Sequence, residues 1–186
     1  MNKISFLTDE SQELVNRLLE FISDEFRLNS NMPSLAFIFG KNTKQMQIIA
    51  GEFSSENPGA QKDEFVKSIK FVARRINAYL ILYVSECWMT RYVKDEEGKP
   101  KEEGAKDEGL LIIIEGVGQK YALTTAPINH TADGKSVDLK DIKFNEPAKL
   151  AGRFTNMLPT PDNKLSAEDT ARIAQEYNQE VLSITP

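Results

Sequence analysis

Two long apolar runs, each carrying a glutamate near its end, constrain the fold of this chain more than any other feature. The first spans residues 79–89 and contains Glu86, and the second spans residues 110–115 and ends at Glu115. Runs of this length, rich in β-branched and aromatic residues, are typical of strands in the middle of a sheet. The charged residues 94–109 separate them, so we expect two central strands joined by a long loop.

Helical periodicity predicts three helices, which begin after Thr8, near Gln61 and after Ser166. The first helix is expected to bury an apolar stripe that consists of Leu14, Leu18, Ile22 and Phe26. Strands are predicted at residues 34–40, 45–53, 79–92, 109–116 and 120–126, with Pro127 either ending the last of these or placing it at a sheet edge. Residues 137–144 fit either a short edge strand or a single helical turn.

The predicted order is helix, two strands, helix, three strands, helix. Strands joined by hairpins pair in antiparallel fashion, so the order indicates an α+β fold with helices packed on a single antiparallel sheet of about five strands. The 186 residues are expected to form a single domain, 1–186. The order of elements resembles that of profilin-like and roadblock-type modules over about two thirds of the chain, which implies a meandering sheet that carries helices and implies no function.

Composition argues against several classes of function. The formal net charge is −5 and the pI is near 5.1, whereas nucleic-acid-binding domains are usually strongly basic. The first residues lack the apolar stretch of a secretory signal, and no segment approaches the ~20 apolar residues of a membrane span. One cysteine, Cys87, allows no intrachain disulfide, which fits a reducing compartment, so a cytoplasmic location is expected. No cofactor is predicted, because Gly116-Val117-Gly118 lacks the third glycine of a dinucleotide fingerprint.

Glu86 and Glu115 are the candidate catalytic or metal-binding residues. If the segment between the two strands closes symmetrically, with Tyr92 opposite Gly109, then Glu86 lies opposite Glu115. Facing carboxylates repel, so one would hold a proton or the pair would bind a cation, as acid–base catalysis or a hard metal ion requires. Alternatively, each glutamate ends at a solvated rim or pairs with a cation such as Arg74 or Arg75.

Cys87 and His130 allow a nucleophilic pair but do not indicate one. A free cysteine within an apolar strand is usually a small buried hydrophobic residue, and a catalytic thiolate needs an activating base or a positive field. His130 is the only histidine of the chain. A histidine-rich or cysteine-rich zinc site is therefore excluded, because such a site needs several further ligands of those types.

Aromatic and basic side chains supply the interaction candidates. Tyr83, Trp88 and Tyr92 line either an interface patch or part of the core, depending on which sheet face the helices leave open. Arg74 and Arg75 belong to a basic helix that either contacts an acidic partner or forms an ordinary solvated face. Residues 94–109 contain seven acidic residues and four lysines, so we expect a mobile charged loop that is either a docking segment or a tolerated insertion.

These observations favour a small cytosolic interaction or regulatory module without catalytic activity of its own. Its expected partner is another protein or a second copy of the chain, with no nucleic acid and no membrane. Two alternatives stay open. The first is an enzyme or metal-binding protein that uses Glu86 and Glu115, and the second is a small-ligand sensor with a pocket between sheet and helices.

Overall fold

A computed structural model of the chain describes residues 2–29, 32–41, 45–54, 56–89, 92–94, 97, 99–102, 106–131, 134–161 and 163–183. The helices are α1 (Asp9–Asn29), α2 (Pro58–Arg75) and α3 (Ala167–Ser183). The strands are β1 (Ser34–Gly40), β2 (Met46–Gly51), β3 (Ala78–Met89), β4 (Tyr92–Lys94), β5 (Pro100–Glu102), β6 (Asp107–Gly116), β7 (Lys120–Thr131) and β8 (Gly134–Val137). None of these helices is both long and apolar enough to cross a bilayer.

Six of the strands form one antiparallel sheet in the order β2-β1-β3-β6-β7-β8, and β4 and β5 form a separate two-stranded ribbon. The predicted α+β class is confirmed, with six strands in the sheet instead of about five. The additional strand is β8, which pairs with the end of β7 from Ile128↔Val137 to Thr131↔Gly134. The predicted charged loop 94–109 contains the whole of β5 and the beginning of β6.

Side-chain caps explain where the helices begin. The Thr8 hydroxyl accepts a hydrogen bond from the Ser11 backbone N–H at 3.2 Å, and the Ser166 hydroxyl accepts one from the Asp169 N–H at 3.0 Å. Both caps were predicted. The second helix starts earlier than Gln61, because Asn57 caps it and Pro58 occupies its first position, where the missing N–H of proline is not needed.

The buried stripe of α1 differs from the predicted one in its first half. Its buried apolar members are Val15, Leu19, Ile22 and Phe26. Leu14 and Leu18 lie beside this stripe and are only half-buried. A strict four-residue repeat drifts around a helix of 3.6 residues per turn, so the stripe shifts to neighbouring positions along its length.

Pro127 does not end its strand, so the first of the two predicted outcomes is wrong. β7 continues through Pro127 to Thr131. The backbone of Leu123 exchanges two hydrogen bonds with Asn145 on the outer side of β7. Backbone groups alternate in direction along a strand, so residue 127 also directs its nitrogen outward. Pairing with β8 begins only at Ile128, and the missing N–H of Pro127 therefore breaks no ladder bond.

Contacts divide the chain into two compact units, and β1, β3, β6 and β7 contribute residues to both. The first unit comprises Met1–Ser34, Val84–Ile113 and Ala122–Glu146. In this unit α1 packs against β8, and the Ser23 hydroxyl donates to the Val137 carbonyl at 2.8 Å. The Asn2 side chain donates to the Phe144 carbonyl at 3.1 Å and accepts from its N–H at 2.8 Å, which ties the N-terminal segment to the irregular chain after β8.

The second unit comprises Leu35–Tyr83, Ile114–Tyr121 and Pro147–Pro186. In this unit α2 packs against β2 and α3. Phe65 of α2 meets Phe53 edge-on, with ring centroids 5.6 Å apart, and the fully buried Tyr83 stacks on Phe154 at 4.2 Å. Lys67 of α2 lies 3.0 Å from Asp169 of α3, an ion pair that joins the two helices at their polar sides.

Gly51 provides a test of this packing. A Cβ atom at Gly51 would lie 2.6 Å from Cδ2 of Phe65, whose ring is buried. We expect Gly51→Ala to lower the free energy of unfolding by about 1–3 kcal/mol, because a packed ring must shift to make room. Urea unfolding measures this change.

The matched control is Gly59→Ala, in the first turn of α2. The nearest atom to a Cβ there is Nη2 of Arg153 at 3.8 Å, which is ordinary contact. Alanine is also the better helix former, so Gly59→Ala should leave stability unchanged or raise it. Equal losses in the two variants would contradict the packing described for Gly51.

Candidate functional site

Four polar side chains form a row across neighbouring strands of the first unit. They are Glu86 of β3, Glu108 of β6, His130 of β7 and Lys135 of β8, called here the charged row. The Lys135 ammonium lies 2.9 Å from Glu108 Oε2 and 3.8 Å from Glu86 Oε2. Nε2 of His130 lies 3.1 Å from Glu108 Oε2. His130 and Lys135 are direct cross-strand partners, which places their side chains on one face of the sheet.

Glu108 is the centre of the charged row. The close contact with the Lys135 ammonium, with a smaller contribution from His130, holds the pKa of Glu108 below its usual value, and the same contact raises the pKa of Lys135. The side chains of Glu86, Glu108 and Lys135 are between 22% and 26% exposed. Charges that are networked and partly shielded in this way are more ordered than isolated surface ion pairs.

Glu86 is held from two directions. Its Oε1 accepts a hydrogen bond from the backbone N–H of Met32 at 3.0 Å, and its Oε2 faces Lys135. Beside it, the hydroxyls of Ser34 and Ser85 are hydrogen-bonded at 2.7 Å. The carboxylate of Glu86 therefore joins the segment before β1 to the charged row.

Trp88 stands next to the charged row and is 66% exposed. Side chains two residues apart on a strand point to the same face, so Trp88 shares the face of Glu86. Of the other aromatic candidates, Tyr83 is fully buried and belongs to the core of the second unit, and the side chain of Tyr92 lies outside the described residues. Among the side chains that the structure describes, Trp88 alone of the three is a surface aromatic residue.

Cys87 is half-buried, and burial raises the pKa of its thiol. A raised thiol pKa disfavours the thiolate that a nucleophilic cysteine requires. The partner of His130 in the described structure is Glu108. The geometry thus joins His130 to a carboxylate of the charged row.

Glu115 lies in the second unit and is fully buried. Its Oε2 accepts from the backbone N–H of Met157 at 2.8 Å, and its Oε1 accepts from that of Leu158 at 2.9 Å. Burial raises the pKa of Glu115, while the two N–H groups and the charge of Lys70 act in the opposite direction. Both carboxylate oxygens are therefore engaged by backbone of the irregular segment that follows residue 152.

A hydrogen-bond network continues from Glu115 along residues 156–163, called here the anchored segment. Asn163 donates to the carbonyls of Asn156 and Leu158 at 2.5 and 2.6 Å. Its Oδ1 accepts from the Arg74 guanidinium at 2.9 Å. The Tyr121 hydroxyl donates to Asn156 Oδ1 at 2.8 Å. Arg74, predicted as an interaction residue, thus bonds to the anchored segment, whereas Arg75 is exposed.

The symmetric closure that placed Glu86 opposite Glu115 is wrong. Tyr92 pairs with Glu102 in the β4–β5 ribbon, not with Gly109. The partners that the structure gives to Glu86 are Met32 and Lys135, and those of Glu115 are Met157 and Leu158. In the described part of the chain, no group of three or more histidine, cysteine or acidic side chains is placed to hold a metal ion.

Sequence reasoning missed Glu108 and Lys135. Glu108 fell within the predicted charged loop 94–109, and Lys135 fell in a stretch for which no strand was predicted. A signal for the second was present, because the dipeptide Asp133-Gly134 favours a tight hairpin turn between a strand ending near Thr131 and one beginning near Lys135. No comparable signal marks Glu108.

Comparisons of the chain with protein-family models, with curated proteins and with solved structures gave no match. The resemblance to profilin-like and roadblock-type modules therefore rests on the order of elements alone.

Replacing Glu115 with glutamine tests its anchoring role. Glutamine keeps one oxygen but turns an NH₂ group toward the second backbone N–H, which leaves that buried donor unpaired. We expect Glu115→Gln to lower the free energy of unfolding by about 1–3 kcal/mol in chemical denaturation. Glu86→Gln is the matched control, because Glu86 accepts only one described N–H bond, which the amide oxygen can keep. A loss from Glu86→Gln equal to that from Glu115→Gln would contradict the assignment.

The raised pKa of Glu115 also predicts a pH dependence. A carboxyl whose pKa is higher in the folded state contributes stability that is complete below its unfolded pKa and is lost as pH rises through the folded pKa. The stability of the wild type relative to Glu115→Gln, which does not titrate there, should therefore fall as pH rises from about 4.3, the ordinary glutamate value. Denaturation curves across this range measure the difference, and a difference that grows with pH would contradict the prediction.

Proposed function

We propose that this chain is a small cytoplasmic interaction or regulatory module without catalytic activity of its own, and that it binds a protein partner through Trp88 and the charged row. The observation that carries the proposal is the exposure of Trp88. A tryptophan that is 66% exposed sits on β3, in the interior of the sheet order, beside charges that are already ordered.

The exposed indole favours binding. Fully burying a large apolar side chain contributes about 1.5–3 kcal/mol, and most of the Trp88 surface remains open to a partner. Tryptophan is among the residues most enriched at the energetic centres of protein interfaces. A partner with an apolar pocket for the indole would gain much of its affinity from this one contact.

The charged row indicates the chemistry of that partner. Two carboxylates share one lysine, so negative formal charge is in excess in the charged row. A cationic side chain of the partner would complement this charge and would also be attracted to the face of the indole. Because the ion pairs with Lys135 and the Met32 N–H bond to Glu86 already restrict the carboxylates, little conformational freedom is lost on binding.

The alternatives differ in the support they receive. Glu86 and Glu115 have separate partners, so this arrangement does not support an enzyme or metal site that uses both carboxylates together. For the ligand-sensor alternative, a groove of about 290 Å³ lies between β2, α2 and α3. It is lined by Ile48, Ile49, Ala50, Phe65, Val72 and Ile173, together with Ser68 and Glu176. Ligand pockets are usually about 300–1,000 Å³, so the groove suits only a very small ligand.

The test begins with a photo-crosslinking amino acid at position 88, which identifies the protein that contacts this position. With that partner purified, calorimetry compares the wild type with Trp88→Ala. We expect Trp88→Ala to weaken binding by about tenfold or more, because it removes the apolar anchor. Binding should also weaken as salt increases, because the charged row contributes to the attraction.

Val117→Ala is the matched control, since Val117 is another exposed apolar residue, 62% exposed. It should bind the partner as the wild type does. Both variants should keep the unfolding midpoint of the wild type, because each removes an exposed side chain. Unchanged affinity of Trp88→Ala would overturn the proposal.

A further inference from the structure

The two edges of the sheet differ in their protection. At one end, β8 is four residues long, carries Lys135, and has the carbonyl of Val137 bound by the Ser23 hydroxyl. At the other end, β2 is six residues long and has the sequence Met-Gln-Ile-Ile-Ala-Gly, with no charge and no proline. Edge strands that must avoid association are usually short, charged or covered. β2 is neither short nor charged, and its edge borders the groove that Ile48 and Ala50 line together with Ile173 and Glu176 of α3.

The backbone direction along β2 can be assigned. The Gly40 N–H donates to the Gln45 carbonyl at 3.0 Å, so residue 45 directs its backbone toward β1. Because direction alternates along a strand, Met46, Ile48 and Ala50 direct their N–H and C=O groups toward the open edge. In the described part of the chain no further strand pairs with this edge.

We propose that β2 is a homodimerisation strand, which pairs antiparallel with β2 of a second copy about a two-fold axis. A unique register brings all the outward backbone groups together. It places Ile48 opposite Ile48 of the partner copy, and Met46 opposite Ala50. The Met46–Ala50 pair occurs twice because of the two-fold axis. Three pairs therefore each exchange two backbone hydrogen bonds, and the two sheets become continuous.

Side chains in this register are complementary. Ile48 is 52% exposed and Met46 is 40% exposed, and both would be covered by the partner strand. The long Met46 side chain meets the small Ala50, so the surfaces fit without crowding. A two-fold axis brings identical groups together, which would oppose any charge on the strand, and β2 carries none. These features favour a second copy over an unrelated strand as the occupant. The inference stands independently of the partner proposed for Trp88.

Disulfide trapping tests the register. In a Cys87→Ser background, Ile48→Cys places two thiols on directly opposed residues whose Cα atoms are about 5.5 Å apart, which is within disulfide range. Mild oxidation should give a covalent dimer. Met46→Cys and Ala50→Cys should each crosslink poorly alone and efficiently when mixed, since each lies opposite the other. Equal crosslinking of all three single variants, or none with Ile48→Cys, would overturn the proposal.

Sedimentation equilibrium of the full chain measures the association itself. The wild-type mass should approach that of a dimer as concentration rises, and Ile48→Lys should raise the dissociation constant by about tenfold or more, because two lysines would meet at the axis. Val117→Lys, a charge at another exposed apolar position, should leave the dimer intact, as should Trp88→Ala. A wild type that stays monomeric, or a dimer lost with Trp88→Ala but kept with Ile48→Lys, would refute dimerisation through β2 and leave the Trp88 binding test unaffected.

Discussion

The packing of the second unit depends on the carboxylate of Glu115. A charged group taken out of water must be paired or hydrogen-bonded, and Glu115 is fully buried. Its partners are backbone N–H groups of Met157 and Leu158, in a segment with no strand or helix of its own to satisfy them. The buried carboxylate and the irregular backbone therefore satisfy each other. This reciprocity allows a stretch without regular structure to pack against the end of β6.

The first unit uses the same device. The Asn2 side chain forms two hydrogen bonds with the backbone of Phe144, and Glu146 accepts from the backbone N–H of Ser5 at 3.0 Å. Each unit therefore holds an irregular segment by bonds from polar side chains to backbone. Such bonds link residues far apart in the sequence, so they become available only when the sheet is formed.

This dependence explains what could be read from the sequence. The α+β class, the caps at Thr8 and Ser166 and the β1–β2 hairpin follow from local signals, namely periodicity, capping residues and turn residues. β8 was not predicted, and neither was the continuation of β7 past Pro127. A strand tolerates proline where the side to which its nitrogen points has no partner strand, and the sequence does not show which side that is. Of the candidate site, Glu86, Trp88 and His130 could be named from the sequence, but Glu108 and Lys135 could not, since only the order of strands brings them together.

Glu86 and Glu115 show why residue type alone does not decide a role. Both follow an apolar run, yet Glu115 binds two backbone N–H groups in the interior, while Glu86 shares Lys135 with Glu108 at a partly open surface. Both carboxylate oxygens of Glu115 already accept hydrogen bonds from backbone N–H groups, and a new ligand would have to displace that backbone to reach them. The environment of Glu86 includes Trp88, whose surface is still mostly in water. A binding partner can bury exposed apolar surface that lies next to ordered charges. Glu86, whose surroundings are partly open to solvent, is therefore a better guide to function than Glu115.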